Sequence, residues 1–167
     1  MNKEVLDTIR TRRRRPRGGI RPISDDQIDT LLEIGLSASV GHAARPWHFI
    51  VIRDGWLRTR ISDALQGHPS LDKASVMVAT TVRSDSGSRV SGDLDLGPVA
   101  QGMLTAARSM ALGGVWVGEP SSRLWPVVEE ILLQELKIPG QLGIRIPGMI
   151  ALGRRDENRP VGGRHQG

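Results

Sequence analysis

The stretch DLGPVAQGMLTAARSMALGGVWVGEP, residues 95–120, decides the predicted fold. Its first part carries apolar residues at positions 96, 99, 100, 103, 104, 107, 110 and 111, and this spacing predicts one helix from about 94 to 112. Gly113 and Gly114 end that helix, and VWV at 115–117 then predicts a strand. A helix this apolar must be buried, so we expect it at the centre of the fold.

The rest of the chain alternates between helical and strand patterns. Helices are predicted over residues 3–10, over about 25–36, after Asp54, and over a stretch that runs from Val127 to Leu136. Strands are predicted over residues 47–53, 75–82 and 148–153, with a serine- and glycine-rich loop at 84–92. Because helices and strands are interspersed, we expect a sheet covered by helices on both faces.

The composition excludes several classes of protein. The chain has 167 residues, a size that suits one domain, and no cysteine, so it holds no disulfide, thiolate nucleophile, zinc–thiolate site or iron–sulfur cluster. Its four histidines lack the spacing of metal ligands, and no G-x-S-x-G, G-x-G-x-x-G or Walker sequence occurs. The N-terminal residues are too charged for a signal peptide and no apolar run suits a membrane span, so we expect a cytoplasmic protein without a metal.

The positive charge is concentrated at the two ends of the chain. Residues 1–23 carry a net charge of +6, residues 24–152 a net charge of −3, and residues 153–167 a net charge of +2. Nucleic-acid-binding domains usually spread positive charge over a folded face, so this distribution favours charged tails or a local anion site. The basic run from Arg12 to Arg17 can grip a phosphate through bidentate hydrogen bonds, although such runs also occur as solvated or nucleic-acid-binding arms.

Aromatic residues make up only 3% of the chain, so each tryptophan is informative. Trp47, Trp56 and Trp116 could stack on a ligand or fill the core. We interpret them as core residues, above all Trp47, which begins a predicted strand.

Four motifs, in this order, resemble the FMN-dependent nitroreductase family in its short form. IRTRRRRPR stands where the family has R-R-S-x-R, and ASVGHAARPWHF from Ala38 matches A-P-S-x-x-N-x-Q-P-W-x-F. Residues 95–118 match the family's D-x-x-x-A-x-Q-x-x-L-x-A-A helix and its G-L-G-x-V-W-V-G strand, and IPGQLGIRIPGMIALGRR matches its last turn and strand. The order and the distances identify the chain as a member of this family.

The resemblance implies an α+β fold, a nitroreductase-like three-layer α-β-α sandwich with a mixed central sheet, in an intertwined homodimer. It implies a single domain over residues 1–167, with a basic N-terminal loop at 10–22 and a C-terminal tail at 154–167. It further implies an enzyme that binds FMN, takes hydride from NADH or NADPH, and passes it to a nitroaromatic, a quinone or a similar flat acceptor. The flavin carries the redox chemistry, so we assign no catalytic acid or base.

The resemblance also implies which residues bind FMN. Three arginines would face its phosphate or ribityl chain: Arg12, Arg13 and Arg14. Five residues of the other subunit would lie along the isoalloxazine ring: Ser39, Val40, Gly41, Ala43 and Arg45. Backbone N–H groups of Val117 and Gly118 would approach flavin N5, and Arg159 or Arg164 would add to the phosphate site. Basic residues at both ends of the chain agree with such a phosphate site.

Four positions depart from the family pattern: Arg14 replaces a serine, Pro16 the last basic residue of R-R-S-x-R, Ala43 an asparagine and Arg45 a glutamine. Ala43 removes a side chain that could hydrogen-bond the flavin edge, whereas Arg45 could place a cation near the reduced ring. Two other functions therefore stay open. One is a flavin-binding or interaction protein of the same fold without catalysis, and the other is a dimeric platform whose arginine-rich arm binds nucleic acid.

Overall fold

The computed structural model of the chain describes residues 3–10, 22–38, 47–67, 70–83, 89–119, 122–139 and 143–154. Five helices and four strands lie within these ranges. In chain order they are α1 (Lys3–Arg10), α2 (Asp25–Ser37), β1 (Trp47–Ile52), α3 (Gly55–Ala64), β2 (Val76–Arg83), α4 (Arg89–Ser109), β3 (Leu112–Gly118), α5 (Trp125–Glu135) and β4 (Ile144–Arg154).

The four strands form one sheet in the order β1-β2-β4-β3, and every pairing among the described residues is antiparallel. The prediction of a mixed sheet is therefore not met in this part of the chain. The connection from β1 to β2 shows the reason, because Ile52 at the end of β1 pairs with Met77 near the start of β2. The segment that contains α3 thus returns the chain to the end of the sheet from which it left, and the next strand must run back.

Helices cover both faces of the sheet, as predicted. On one face, α2 and α4 form a core with the sheet around Leu31, Met103 and Ile150. On the other face, α3 and α5 form a second core around Ile61, Leu132 and Met149. The inner strands β2 and β4 contribute to both cores, and nearly all of their residues are buried. This arrangement is the predicted three-layer α-β-α sandwich.

Local capping explains where α2 and α3 begin. The Ser24 side chain accepts a hydrogen bond from the Gln27 N–H, and the Gln27 side chain accepts one from the Ser24 N–H, which completes a capping box. The Asp54 carboxylate accepts a hydrogen bond of 2.7 Å from the N–H of Leu57. Both helices were predicted to start at these residues.

Three boundaries differ from the predicted ones. Helix α4 begins at Arg89, inside the predicted loop 84–92. The prediction missed this first turn because the serine and glycine in RVSG are typical of loops. Gly113 and Gly114 belong to β3 and do not end a helix. A Cβ atom at Gly114 would lie 2.6 Å from Leu104 Cδ2 and 3.1 Å from Leu152 Cδ2, so α4 packs closely on the sheet here and a side chain would require the leucine ends to shift. Strand β4 begins at Ile144, before the predicted start at 148.

Two glycines in the α2–α4 interface provide a test of this packing. A Cβ atom at Gly35 would lie 2.7 Å from the Phe49 ring and 2.8 Å from Met103 Sδ, whereas one at Gly102 would make an ordinary contact of 3.5 Å with Ile34. We expect Gly35→Ala to lower the free energy of unfolding, because overpacking costs about 1–3 kcal/mol and outweighs the helix-propensity gain of about 1 kcal/mol. Gly102→Ala is the matched control, with an unchanged or higher stability. Urea denaturation measures both, and equal stabilities for the two variants would contradict this packing.

Candidate active site at one end of the sheet

One end of the sheet brings together the start of β1, the end of β2, the start of β4 and the end of β3. Trp47 at the start of β1 pairs with Val82, and Val82 pairs with Arg145 near the start of β4. Strand β3 ends here with Gly118, which pairs with Gly148. We call this region the Gly118 end of the sheet. Strands β1 and β3 form its two edges and lie three strand spacings apart, about 14 Å.

Strand β4 contains a β-bulge at the Gly118 end. Between two neighbouring pairs of the β2–β4 ladder, β2 advances by two residues and β4 by three. Ile146 and Pro147 therefore lie together opposite Thr81. Proline has no backbone N–H, so a bulge is one of the few places in an inner strand that accepts it. Ile150 faces the α2–α4 core, and regular alternation along β4 would place Ile146 on that same face. The bulge shifts the alternation, so Ile146 packs in the α3–α5 core instead.

Helix α5 supplies hydrogen-bond partners for the backbone of this bulge. The Trp125 indole Nε1 donates to the carbonyl oxygen of Ile146 at 2.7 Å, and the N–H of Ile146 donates to Glu129 Oε1 at 2.6 Å. Trp125 is fully buried, and the Glu129 side chain is only 18% exposed. An unpaired buried backbone group costs about 1–3 kcal/mol, so these side chains stabilise a backbone that the ladder leaves unsatisfied.

Ion pairs join the bulge to the residue that follows β3. Arg145 Nη2 lies 2.5 Å from Glu119 Oε2, and Arg145 Nε lies 4.0 Å from Glu129 Oε1. The Arg145 side chain is 24% exposed, so solvent screens these pairs only in part. Because Glu119 directly follows Gly118, charge as well as backbone pairing links the end of β3 to the start of β4.

Two glycines allow β3 and β4 to meet closely at this end. A Cβ atom on Gly118 would overlap the carbonyl oxygen of Pro147 and would lie 2.9 Å from Gly148 Cα. A Cβ atom on Gly148 would overlap the indole of Trp116, so that ring lies over the glycine. A side chain at either position therefore requires a shift of the backbone or of the indole.

Two of the cofactor residues implied by the resemblance lie within the described ranges, and both are at this end. The Val117 side chain is buried in the α3–α5 core, so only its backbone is available to a ligand. Gly118 is the last residue of β3, which is an edge strand of the described sheet. Successive N–H groups of a strand point to opposite sides, so the outer edge presents one of these two N–H groups and the other points toward β4.

The other implied cofactor residues lie outside the described residues. They are Arg12, Arg13, Arg14, Ser39, Val40, Gly41, Ala43, Arg45, Arg159 and Arg164. Strand β1 starts directly after residues 39–46, so this stretch connects α2 to the Gly118 end of the sheet.

The tryptophans divide between core and surface. Trp47 is buried as predicted, and its indole Nε1 has no hydrogen-bond partner among the described residues. Trp116 is half buried against the α2–α4 core. The prediction that Trp56 fills the core is wrong, because α3 directs Leu57 inward and leaves Trp56 59% exposed. The Arg60 guanidinium carbon lies 4.9 Å from the Trp56 ring centre, a cation–π contact on the surface.

Sequence reasoning missed Trp125, Glu129 and Arg145 as residues of this region. The available signal was Pro147, because a proline among strand-forming residues marks an edge or a bulge. The predicted strand began at Gly148 and so excluded that proline. The partners of the bulge could not be predicted, because 17 residues separate Glu129 from Ile146 in the chain.

None of the described helices has both the length and the apolar character that a membrane span requires. Within the same part of the chain, no cluster of three or more histidine, aspartate or glutamate residues is arranged to hold a metal ion.

Comparison with known proteins identifies the family. The sequence profile described as "Nitroreductase family" matches residues 21–75. A protein of Archaeoglobus fulgidus named "Putative NADH dehydrogenase/NAD(P)H nitroreductase" is 31% identical over 119 residues, which cover 70% of this chain and 68% of that protein. The chain therefore belongs to the nitroreductase family, a family of oxidoreductases, as its motifs predicted.

Solved structures support the same conclusion. A protein of Parabacteroides distasonis, also named "Putative NADH dehydrogenase/NAD(P)H nitroreductase", matches with a TM-score of 0.81 and 25% identity over 98% of this chain and 94% of its own. A "putative nitroreductase in complex with fmn" from Desulfovibrio desulfuricans matches with a TM-score of 0.80 and 26% identity over 98% and 93%. These matches confirm the predicted α+β nitroreductase-like fold.

The close approach of β3 and β4 generates a prediction for Gly118. We expect Gly118→Ala to lower the free energy of unfolding by about 1–3 kcal/mol, because its Cβ would meet backbone atoms of Pro147 and Gly148. Gly114→Ala on the same strand is the control, and its loss should be smaller because leucine side-chain ends can rotate away. Thermal and urea unfolding measure both variants. Equal losses would show that backbone contact does not define the end of β3.

Proposed function

We propose that this protein is an FMN-dependent oxidoreductase that transfers hydride from NAD(P)H to a nitroaromatic, a quinone or a similar flat acceptor. The observation that carries the proposal is the match, over 98% of the chain, to a nitroreductase crystallised with FMN. The relative from Archaeoglobus fulgidus, whose name includes NAD(P)H nitroreductase, supports the choice of electron donor.

The end of β3 has chemistry that fits a flavin. A flavin ring is flat and carries hydrogen-bond acceptors, so it suits a strand edge with an outward backbone N–H next to a glycine. The outer edge of β3 at Val117 and Gly118 has both features. Among the described residues, the buried Trp47 Nε1 at the same end of the sheet has no hydrogen-bond acceptor, which is consistent with a region that a ligand or a second chain completes.

We propose that the FMN phosphate binds the arginines of the basic N-terminal loop, Arg12, Arg13 and Arg14, with Arg159 or Arg164 from the tail. Along the flavin ring we propose Ser39, Val40, Gly41, Ala43 and Arg45 of a second subunit. Bidentate arginine contacts suit a dianionic phosphate, and the charge of +6 over residues 1–23 supports an anion site there.

The proposed site is shared between two copies of the chain in a homodimer, each copy a single domain. Two features of the single chain support a second copy. No residue of α1 is buried, and Val5 and Ile9 on this helix are each 51% exposed. In addition, residues 39–46 lead into β1, on the edge of the sheet opposite to Gly118, about 14 Å away.

In this proposal the protein binds and orients its ligands and supplies no acid or base. When bound, FMN would supply the redox chemistry, with hydride accepted from NAD(P)H and passed to the acceptor. The β3 backbone would hold one ring edge, the arginines would neutralise the phosphate, and the packed β3–β4 pair would keep the binding surface rigid.

We expect the purified protein to carry or take up FMN, with flavin absorption bands that NADH or NADPH bleaches in the absence of oxygen. Free FMN at the same concentration is the control, and sedimentation of the same sample should report a dimer. Bands that persist under excess NADH and NADPH would leave flavin binding without the oxidoreductase function. A colourless protein that takes up no added FMN would contradict the proposal as a whole.

The arginines provide a second test. We expect Arg12→Ala and Arg14→Ala to weaken FMN binding about tenfold or more, because a charge-assisted hydrogen bond contributes about 1.5–3 kcal/mol. Arg15 lies outside the phosphate site in this proposal, where solvent screens its charge. Arg15→Ala should therefore weaken FMN binding less than about threefold. Riboflavin lacks the phosphate and should bind the parent and all three variants equally weakly. If all three variants keep FMN affinity but lose affinity for RNA, the arginine run is a nucleic-acid-binding arm.

A further inference from the structure

We propose that Glu129 is a positioning residue for the flavin: through the Ile146–Pro147 bulge it fixes the end of β3, where the proposed function places the ring. The inference rests on that proposed function for the identity of the ligand. Its structural basis is a chain of contacts from α5 through β4 to β3, and each contact lies within the described residues.

Helix α5 fixes the bulge through two hydrogen bonds to Ile146. The bulge interrupts the β2–β4 ladder, and both backbone groups of Ile146 bond instead to α5, the N–H to Glu129 and the carbonyl oxygen to Trp125. A carboxylate acceptor makes a stronger hydrogen bond than a neutral one, and the side chain is largely shielded from water. The Glu129 contact therefore contributes strongly to the position of Ile146.

The second step leads from the bulge to β3. The carbonyl of Pro147, the second bulge residue, lies directly against the space where Gly118 would carry a Cβ atom. Gly118 has no side chain to absorb a displacement, so a shift of the Pro147 peptide would move the Gly118 backbone itself. The position of the β3 edge therefore depends on the conformation of the bulge.

The third step is electrostatic. Arg145 precedes the bulge and pairs with Glu119, the residue after Gly118, and its Nε also lies 4.0 Å from Glu129 Oε1. Loss of the Glu129 carboxylate would remove a negative charge from the surroundings of Arg145, beside the end of β3. Glu129 thus acts on this backbone through a hydrogen bond and through a shared cation, without being a catalytic residue.

The test uses five variants of the full chain. Glu129→Ala removes both contacts, and Glu129→Gln retains an oxygen that can accept from Ile146. Glu130→Ala alters the neighbouring residue, whose carboxylate contacts Gln134 on the same helix and not the bulge. Val128→Ala is the stability control, because Val128 is fully buried on α5 and contributes only to the core. Trp125→Phe, which keeps the ring and loses the N–H donor, tests the same hold if Glu129→Ala does not fold.

Two readouts are needed: the FMN dissociation constant from flavin fluorescence, and the backbone amide chemical shifts of residues 117–119 without FMN. We expect Glu129→Ala to weaken FMN binding about tenfold and to shift these amides, and Glu129→Gln to restore affinity to within about threefold of the parent. Glu130→Ala and Val128→Ala should change neither readout by a comparable amount.

Parent-like FMN affinity in Glu129→Ala, or an equal loss in Val128→Ala, would overturn the proposal. The amide shifts separate this failure from failure of the proposed function. If Glu129→Ala moves the amides of 117–119 but the parent takes up no FMN, the flavin assignment fails while the hold on β3 stands. If FMN binds the parent and the amide shifts of residues 117–119 do not change in Glu129→Ala, the positioning role is wrong and the proposed function still stands.

Discussion

Most of strand β4 is buried, so its backbone N–H and C=O groups need hydrogen-bond partners within the protein. This constraint sets the arrangement of the sheet and of α5. Strand β4 lies between β2 and β3 and contributes residues to both cores, so water does not reach most of its length. Where the ladder breaks at Ile146 and Pro147, partners must come from another element. Helix α5 provides them through Trp125 and Glu129, and this requirement fixes the position of α5 against the sheet.

The same constraint shapes the candidate site. Pro147 and the Trp116 indole occupy the space that a side chain at position 118 of β3 or 148 of β4 would need, so both positions favour glycine and β3 ends in backbone without a side chain. A site built from backbone at a sheet edge is rigid and can approach a flat ring closely. The match to a nitroreductase in complex with FMN is consistent with such a site, since a flavin supplies the redox chemistry and the protein supplies binding and orientation.

Local patterns predicted the elements well, and long-range contacts account for the differences. The Ser24–Gln27 box is complete within four residues, so the start of α2 was predictable, as was the apolar stripe of α4. The exposure of Trp56 depends on which side of α3 meets the sheet, and the partners of the bulge lie in α5, so neither could be predicted from local sequence. The VWV pattern predicted a strand that ends at Val117, and the structure extends it to Gly118. The flavin contacts that the resemblance implies for these two residues, and the roles of Arg12 and the other implied cofactor residues, stay predictions.

The central claim is that the flavin lies against the end of β3, at an edge held by the β4 bulge. Hydrogen–deuterium exchange of the protein with and without FMN, followed by mass spectrometry of its peptides, tests this claim directly. If the flavin lies there, FMN will slow exchange most in peptides that contain residues 112–119 and 39–52, with a smaller effect around 144–148. Protection confined to other segments, or none at 112–119 in protein saturated with FMN, would contradict it.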